Sequence, residues 1–576
     1  MREGGELFLH PTHPVQRRYE AMRAYLYEGK SAAEVGKTFG YTPRSVAALA
    51  LKFRSEGADA YFRDVRHGRK DSPVAGSLRD AVIELRKQNL SVTEIAERLT
   101  DSGRPVGHQT VWLILRKEGM ERLPRRTAEE RSGTATSKLP LPVADASELD
   151  LTAGRLVQCR APLLLLFAQP LSEMDFGNIV TASGYRGTSQ ISAQSYLLSM
   201  LLLKLHFRER KSGVMNIADD EGFGLFACLN VLPKTTALHD YSYKMGPEHH
   251  RTLLHDIVRA RNGMGAYAGD SFNIDFHMIR HYGDTGVSHL EKDYVPRRSQ
   301  SVPSVVTAFA QELDGREMVY ANANLLKREK ADEAVAFAEY WREVAGKLPG
   351  ELVIDAHVTT HKGLGKLNGM GITFITLRER REREVERVLS TPPEQWERVE
   401  LETKDRKWKT PFILDEIVEL PGYGEIRQIA ARDFGKELPT FLLTNDRKRS
   451  AAKLLTRYAR RTLIENSLGE QVHFFHADAL SSSVRIKVDL DIVLSVIASG
   501  CYKWFANCLK GYDTATAKRL WEEFIDRPGT IRLTDSEVVI RVRRFSRAPL
   551  LLEAAEKWKK VEIPYLGNRK LKIEIS

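Results

Sequence analysis

Between residues 271 and 377 the chain carries a succession of apolar periods that few folds accommodate. Ser271–Ile279 (SFNIDFHMI) alternates Phe272, Ile274, Phe276 and Met278 on one face, with Asp275 on the other, which is the period of a half-buried strand. SVVTAFAQ (304–311) and EMVYANANL (317–325) read as two further strands joined by the turn ELDG. The period then changes. Ala334, Phe337, Ala338, Trp341, Val344 and Ala345 form one stripe of a helix running from about Glu329 to Ala345. ELVIDAHV (351–358) returns to strand character and contains Asp355; a short helix and the strand GITFITL (371–377) complete the run.

Three strands, a helix, a strand, a helix and a strand is the order of an RNase H-like α/β core. In that arrangement the first and fourth strands lie side by side, so Asp275 and Asp355 become neighbours although 80 residues separate them. Each aspartate alone reads as well as a strand-end or surface residue; the joint placement is what points to chemistry. Two close carboxylates repel each other unless a cation intervenes. Hard divalent ions, Mg²⁺ or Mn²⁺, suit such oxygen ligands. Downstream, RSAAKLLTRYARRTLIENSLGEQ (449–471) reads as one helix, on which Tyr458, Arg461 and Glu465 share a face through spacings of three and four. Glu465 can join the two aspartates, and Arg461 and Tyr458 can hold a DNA phosphate beside them. The plainer reading is an exposed helix whose RYARR run is salt-bridged on its own surface.

The net charge of +11 over 576 residues favours a polyanionic partner. Residues 1–126 hold 23 Lys and Arg against 16 Asp and Glu, which is seven of those eleven charges. Apolar residues recur at helical spacing from Val15 to Glu28 (Tyr19, Met22, Tyr25, Leu26); Ser31 and Glu34 then form a capping box, and Thr42-Pro43 opens a third helix. This is the helix-turn-helix pattern. Its last helix would present Arg44 and Ser45 to a major groove, with Lys52 and Arg54 near phosphates. The pattern repeats with a helix at Ala81–Gln88, a capping box at Ser91 and Glu94, the turn DSGRPVG and a second recognition helix that starts at His108, Gln109 and Thr110. Helical hairpins without a DNA role are the bland alternative, and the tandem arrangement in basic surroundings weighs against it. Cys159, Cys228, Cys501 and Cys508 show no metal or disulfide spacing and are expected as plain thiols. No apolar run is long enough to cross a bilayer and no secretory signal is recognisable, so no membrane association is expected.

The helix motif Tyr458, Arg461 and Glu465 within YARRTLIEN resembles the insertion-sequence DDE transposases, whose catalytic helix carries Tyr-x2-Arg-x3-Glu-x6-Lys. The lysine is not matched, because Val472 stands there; His473 and Lys487 are the nearest substitutes. TFLLTND (440–446), IDAHVTT around Asp355 and GITFITLRER are also similar to that family, and the resemblance spans about residues 225–510. It implies that Asp275, Asp355 and Glu465 are the catalytic, metal-binding triad, with Tyr458 and Arg461 on DNA phosphate. Two Mg²⁺ or Mn²⁺ ions about 3.5–4 Å apart are implied, serving first a nick at the element's end and then transfer of the 3′-OH to target DNA. The 110 residues between Asp355 and Glu465 exceed what a bare core needs; RVELETKD, WKTPFILDEIVEL and GEIRQIAARDF resemble the family's β-rich insertion, which lies against the transposon end. Trp396 and Trp408 fall in it. Trp408 reads first as a core residue and second as a platform for an unpaired base.

The expected organisation is a helix-turn-helix unit at 1–66, a second at 67–126, a linker at 127–150 and a helical domain at 151–265. The core follows in two parts, 266–379 and 439–512, around the insertion 380–438, with a C-terminal region at 513–576. Expected partners are double-stranded DNA, as terminal inverted repeats and target, and a second copy of the chain on that DNA. The expected location is cytoplasmic, at the nucleoid of a prokaryote. Two rival readings stand beside the transposase: a nuclease on the same fold without strand transfer, and a transposase-derived DNA-binding regulator without catalysis.

Overall fold

A computed structural model of the protein describes residues 8, 11, 13–61, 76–88, 90–118, 120, 149–207, 211–281, 290–295, 300–355, 359–402, 409–435, 437–478 and 485–576. The chain divides into two compact units, Met1–Leu141 and Pro142–Ser576. The expected linker lies outside the described residues except at 149 and 150, and Trp408 lies outside them altogether.

The first unit contains six helices among its described residues: α1 (Pro14–Leu26), α2 (Ala32–Phe39), α3 (Pro43–Tyr61), α4 (Gly76–Lys87), α5 (Val92–Asp101) and α6 (His108–Lys117). Both capping boxes form. The Glu34 N–H donates to Ser31 Oγ at 3.3 Å while the Ser31 N–H donates to the Glu34 carboxylate at 2.9 Å, and Ser91 and Glu94 repeat the exchange at 3.3 and 2.7 Å. Each box satisfies amide donors that a helix start leaves open. Val35, Phe39 and Val46 close a small core under α1–α3, and Ile95, Leu99 and Val111 another under α4–α6. Gly36 is required by packing: a Cβ there would stand 2.5 Å from the Tyr41 carbonyl oxygen, so only glycine lets the turn fold back over α2.

The second unit is built on two sheets. It opens with β1 (Leu156–Cys159) and continues through apolar helices that include α7 (Ala193–Leu205) and α8 (Pro247–Gly263). Then come β2 (Ser271–Arg280), β3 (Glu291–Val295), β4 (Gln300–Glu312), β5 (Met318–Leu325), α9 (Glu333–Ala345), β6 (Glu351–Ile354), α10 (His361–Gly369) and β7 (Thr373–Arg378). β2 pairs antiparallel with β4 and parallel with β6, β4 pairs with β5, and β6 runs parallel to β7. Ser271 stands opposite Glu351 in that parallel register, which brings the Asp275 and Asp355 strands together. Apolar side chains of β2 and β4 pack on α8, α9 and the long α14 described below, in one continuous core.

The segment expected as an insertion (380–438) contributes α11 (Glu382–Leu389), β8 (Glu397–Arg398), β9 (Phe412–Leu420) and β10 (Gly424–Arg432), and β11 (Thr440–Thr444) follows. β11 pairs with β7, and β10 and β9 continue from it, so these strands lengthen the same sheet and do not form a separate one. Trp396 is buried, with the Arg432 guanidinium 3.8 Å from its ring centre. After β11 come α12 (Ala451–Ala459), α13 (Thr462–His473) and α14 (Arg485–Cys508). The single helix expected over 449–471 is therefore two, parted at Arg460–Arg461. There the Arg461 and Ile464 amides donate to carbonyls three residues back instead of four, a local tightening that shifts the helix path.

The C-terminal region supplies β12 (Gly529–Leu533), β13 (Glu537–Val542), α15 (Ala548–Trp558), β14 (Glu562–Ile563) and β15 (Arg569–Ile575). Its sheet runs β1-β12-β13-β15-β14, so the last strands close back on the first strand of the unit. All four cysteines are free thiols, and among the described residues no helix is long and apolar enough to cross a membrane.

Candidate active site

Asp275 leaves the middle of β2 on the face opposite Phe272 and Ile274, and its Oδ1 accepts the Phe276 N–H at 2.9 Å. Asp355 is the residue after β6, at the carboxyl end of a parallel strand, where open α/β sheets place their ligands. Glu465 lies in the first turn of α13 and is exposed. These three acids from distant segments meet at one cation. Arg461 reaches Asp275 Oδ2 at 3.4 Å and Asp355 Oδ2 at 3.3 Å with Nη2, and Glu465 Oε1 at 3.0 Å with Nη1. Arg461 is 8% exposed, and its Nε is buried without a hydrogen-bond partner.

Burial pushes the Asp275 carboxyl up; Arg461 pulls it down, and Asp355 and Glu465 push it up again, with a net rise above the ordinary aspartate value. Burial would lower Arg461, but Asp275 and the other anions around it hold its guanidinium above its usual value. Tyr458, one turn earlier, is half-buried, and its phenol is raised mainly by burial. Among the described residues no three His, Cys, Asp or Glu side chains stand as a ready-made cation cage. The acids surround a guanidinium instead.

A cleft of about 550 Å³ opens beside Asp355, whose carbonyl accepts the Thr376 hydroxyl at 3.4 Å. Its lining includes Lys362, Arg378 and Arg381, with Leu364, Leu420 and Pro421 as apolar wall. His361 Nδ1 meets the Pro421 carbonyl at 2.8 Å and ties the start of α10 to the β9–β10 turn.

In the first unit Arg44, Lys52 and Arg54 are exposed on α3, and His108 and Gln109 are exposed at the start of α6. Ser45 and Thr110 are half-buried; the Ser45 N–H donates to the Thr42 cap at 3.1 Å and the Thr110 N–H to Gly107 at 2.9 Å. The same two helices expose Leu51, Trp112 and Leu113. Sequence reasoning passed over them. It also missed His277, two residues after Asp275 on the same face of β2, which meets Asp478 at 2.5 Å. The strand period was signal enough to find it.

No family model and no curated protein matches the chain. Among solved structures the chain is similar to a piggyBac transposase synaptic complex with hairpin DNA, at 10% identity over 64% of this chain and 81% of that one, with a TM-score of 0.33. It is also similar to a pre-cleavage Mos1 transpososome, at 10% identity over 63% of this chain and 77% of that one, with a TM-score of 0.13. Superpositions of that quality leave the reading of this chain to its own residues.

Proposed function

We propose that the chain is a DNA transposase of the DDE type, with an RNase H-like core, a β-rich insertion and tandem helix-turn-helix units ahead of it. One observation carries the reading: Asp275, Asp355 and Glu465, remote in sequence, converge on one guanidinium, that of Arg461. An all-carboxylate donor set fits hard divalent cations. Asp275, Asp355 and Glu465 would hold Mg²⁺ or Mn²⁺, two ions, which when bound supply Lewis-acid stabilisation of the charge on the transferred phosphoryl group. Arg461, with its buried and unpartnered Nε, would hold a phosphate oxygen beside the bond that breaks, and Tyr458 would flank it. Lys362 and Arg381 in the adjoining cleft would carry the backbone of the same strand. Arg44, Ser45, His108, Gln109 and Thr110 would read the terminal inverted repeats, with Lys52 and Arg54 on phosphates. The chemistry needs no covalent protein–DNA intermediate, and the chain is expected to work as a homodimer on DNA.

The guanidinium at the centre of the acids favours a second reading, a regulator that binds DNA without cutting it. The two part in one experiment on the full chain and the DNA that flanks its coding sequence. Under the first, wild type nicks that DNA in Mg²⁺, and Asp275→Ala, Asp355→Ala and Glu465→Ala each abolish nicking while binding the ends nearly normally. Specific binding without nicking by wild type selects the regulator. Normal nicking by the Asp275 variant would move the first carboxylate elsewhere.

A further inference from the structure

One helical turn before Arg461, Arg457 repeats its relation to the same two strands. Its Nη2 donates to Ser271 Oγ at 2.8 Å, its Nη1 to Asn273 Oδ1 at 3.0 Å, and its Nε to Glu351 Oε1 at 2.5 Å. Ser271 and Glu351 precede Asp275 and Asp355 by four residues, as Arg457 precedes Arg461. From Asn273 the chain of bonds continues: its Nδ2 donates to Gln311 Oε1 at 3.2 Å, and Gln311 Nε2 donates to Ser467 Oγ at 2.6 Å and to the Leu463 carbonyl at 3.3 Å. Leu463 and Ser467 flank Glu465 on α13. Asn273 and Gln311 are cross-strand partners, both 0% exposed, so the polar row of β2 that begins Ser271, Asn273, Asp275 is a seat for α12–α13 and not a wet face.

We propose that Arg457, through Glu351 and the Asn273–Gln311–Ser467 chain, is the positioning residue that sets Arg461 and Glu465 at their place over Asp275 and Asp355. The inference rests on reading those acids as the reaction centre. A break between α12 and α13 would otherwise let the two halves of the motif move separately; the buried chain grips both halves from the strands that carry the aspartates. Arg457 touches no substrate in this role. It acts on the metal-binding acids as outer partners do, where loss costs about 10–100-fold in metal affinity or activity.

The test uses the full chain with Mn²⁺ as the probe, bound in the absence of DNA and followed by electron paramagnetic resonance. Arg457→Lys keeps the charge but not the three-point fork. Gln311→Glu keeps the acceptor for Asn273 and removes the donor to Ser467 and Leu463. Both should weaken Mn²⁺ binding about tenfold or more and lower the cleavage rate of bound DNA, with the DNA concentration for half-maximal rate unchanged. Ser467→Ala, which leaves the rest of the network intact, should weaken Mn²⁺ by a few-fold and decides the matter if the first two fail to fold. Wild-type Mn²⁺ affinity and rate in the folded variants would overturn the positioning role. If wild type binds Mn²⁺ no better than Asp275→Asn, the reading of the acids themselves falls, and the proposal with it.

Discussion

Two guanidinium clusters sit four residues apart on the same helix-and-strand seam, and they differ in how their charge is settled. Around Arg457, Glu351 and Asp446 face Arg457 and Arg449, two acids to two cations, and Ser271 and Asn273 take the remaining donors. Around Arg461, the carboxylates of Asp275, Asp355 and Glu465 all contact the one guanidinium, and its buried Nε has no hydrogen-bond partner. The carboxyl groups respond in opposite directions. Burial would raise Glu351, but Arg457, Ser271 and Arg449 hold it below the ordinary glutamate value, whereas burial and two neighbouring acids hold Asp275 above the aspartate value despite Arg461. A closed, neutral network is architecture. The acid-rich one on the same scaffold is where the proposed function would place its cations.

The sharpest way to break that contrast is to remove one acid from each cluster and measure stability without metal. Glu351→Gln strips the charge from a buried pair and should cost about 3–5 kcal/mol in denaturant unfolding. Asp355→Asn takes one of three acids from around Arg461, which keeps Asp275 and Glu465, and should cost less than the Glu351 change. The Glu351 effect also has a sign in pH. Its folded value is depressed, so its stabilisation is complete above the ordinary glutamate range near about 4.3 and is lost as pH falls through the lower folded value. Wild type and Glu351→Gln should therefore converge in acid. Equal losses for both variants at neutral pH would mean that the two clusters are alike.

The next effect is smaller and lies in the first unit, on the polar residues that α3 and α6 expose. A fragment of residues 1–126 should bind the element's ends specifically and the chain from 150 onward should not. Changes at exposed Arg44 or Gln109 should cost about 1–3 kcal/mol per lost base contact and relax sequence choice. Changes at Lys52 or Arg54 should weaken all sequences alike and flatten the salt dependence. End binding by the 150–576 chain as tight as that of the whole protein would remove the division of labour between the units.

Much of this was legible because it is local. The strand period around Asp275, the helix stripe at 334–345 and the capping boxes at Ser31 and Ser91 depend on neighbours within a few residues, and all recur in the structure. The joining of β13 to β15 and of β12 to β1 was not legible, since β1 and its partner are separated by more than three hundred residues and no periodicity encodes a partner. Nor does a strand-like run at 412–432 announce that it extends an existing sheet. The burial of Asn273 and Gln311 was not legible either, because strand period alone does not say that a helix covers the polar row. The helix break at Arg460–Arg461 has no propensity signal, because Arg is a good helix former and the following Thr462 only a modest one.

The smallest predicted effect, at Arg460, is the control that tests whether Arg461 is more than part of a charge run. RYARR offers three arginines within five positions, and in sequence they look interchangeable. In the fold they are not: Arg457 is buried in the neutral cluster, Arg461 is buried among the acids, and Arg460 is exposed at the helix break. Arg457→Lys is therefore no control for Arg461→Lys, since it breaks a buried fork of its own. Arg460→Lys is the control. Lysine and arginine have similar helix propensity, and an exposed substitution away from any network should stay within about 0.5 kcal/mol. Its unfolding midpoint and its nicking rate should match wild type. Arg461→Lys would keep the charge and lose the planar fork that spans several oxygens, so nicking should fall strongly while helix content is unchanged. Comparable small losses at 460 and 461, measured at equal protein and salt, would leave Arg461 a buried structural charge with no part in nicking. The acid cluster would then have to be explained without the residue at its centre.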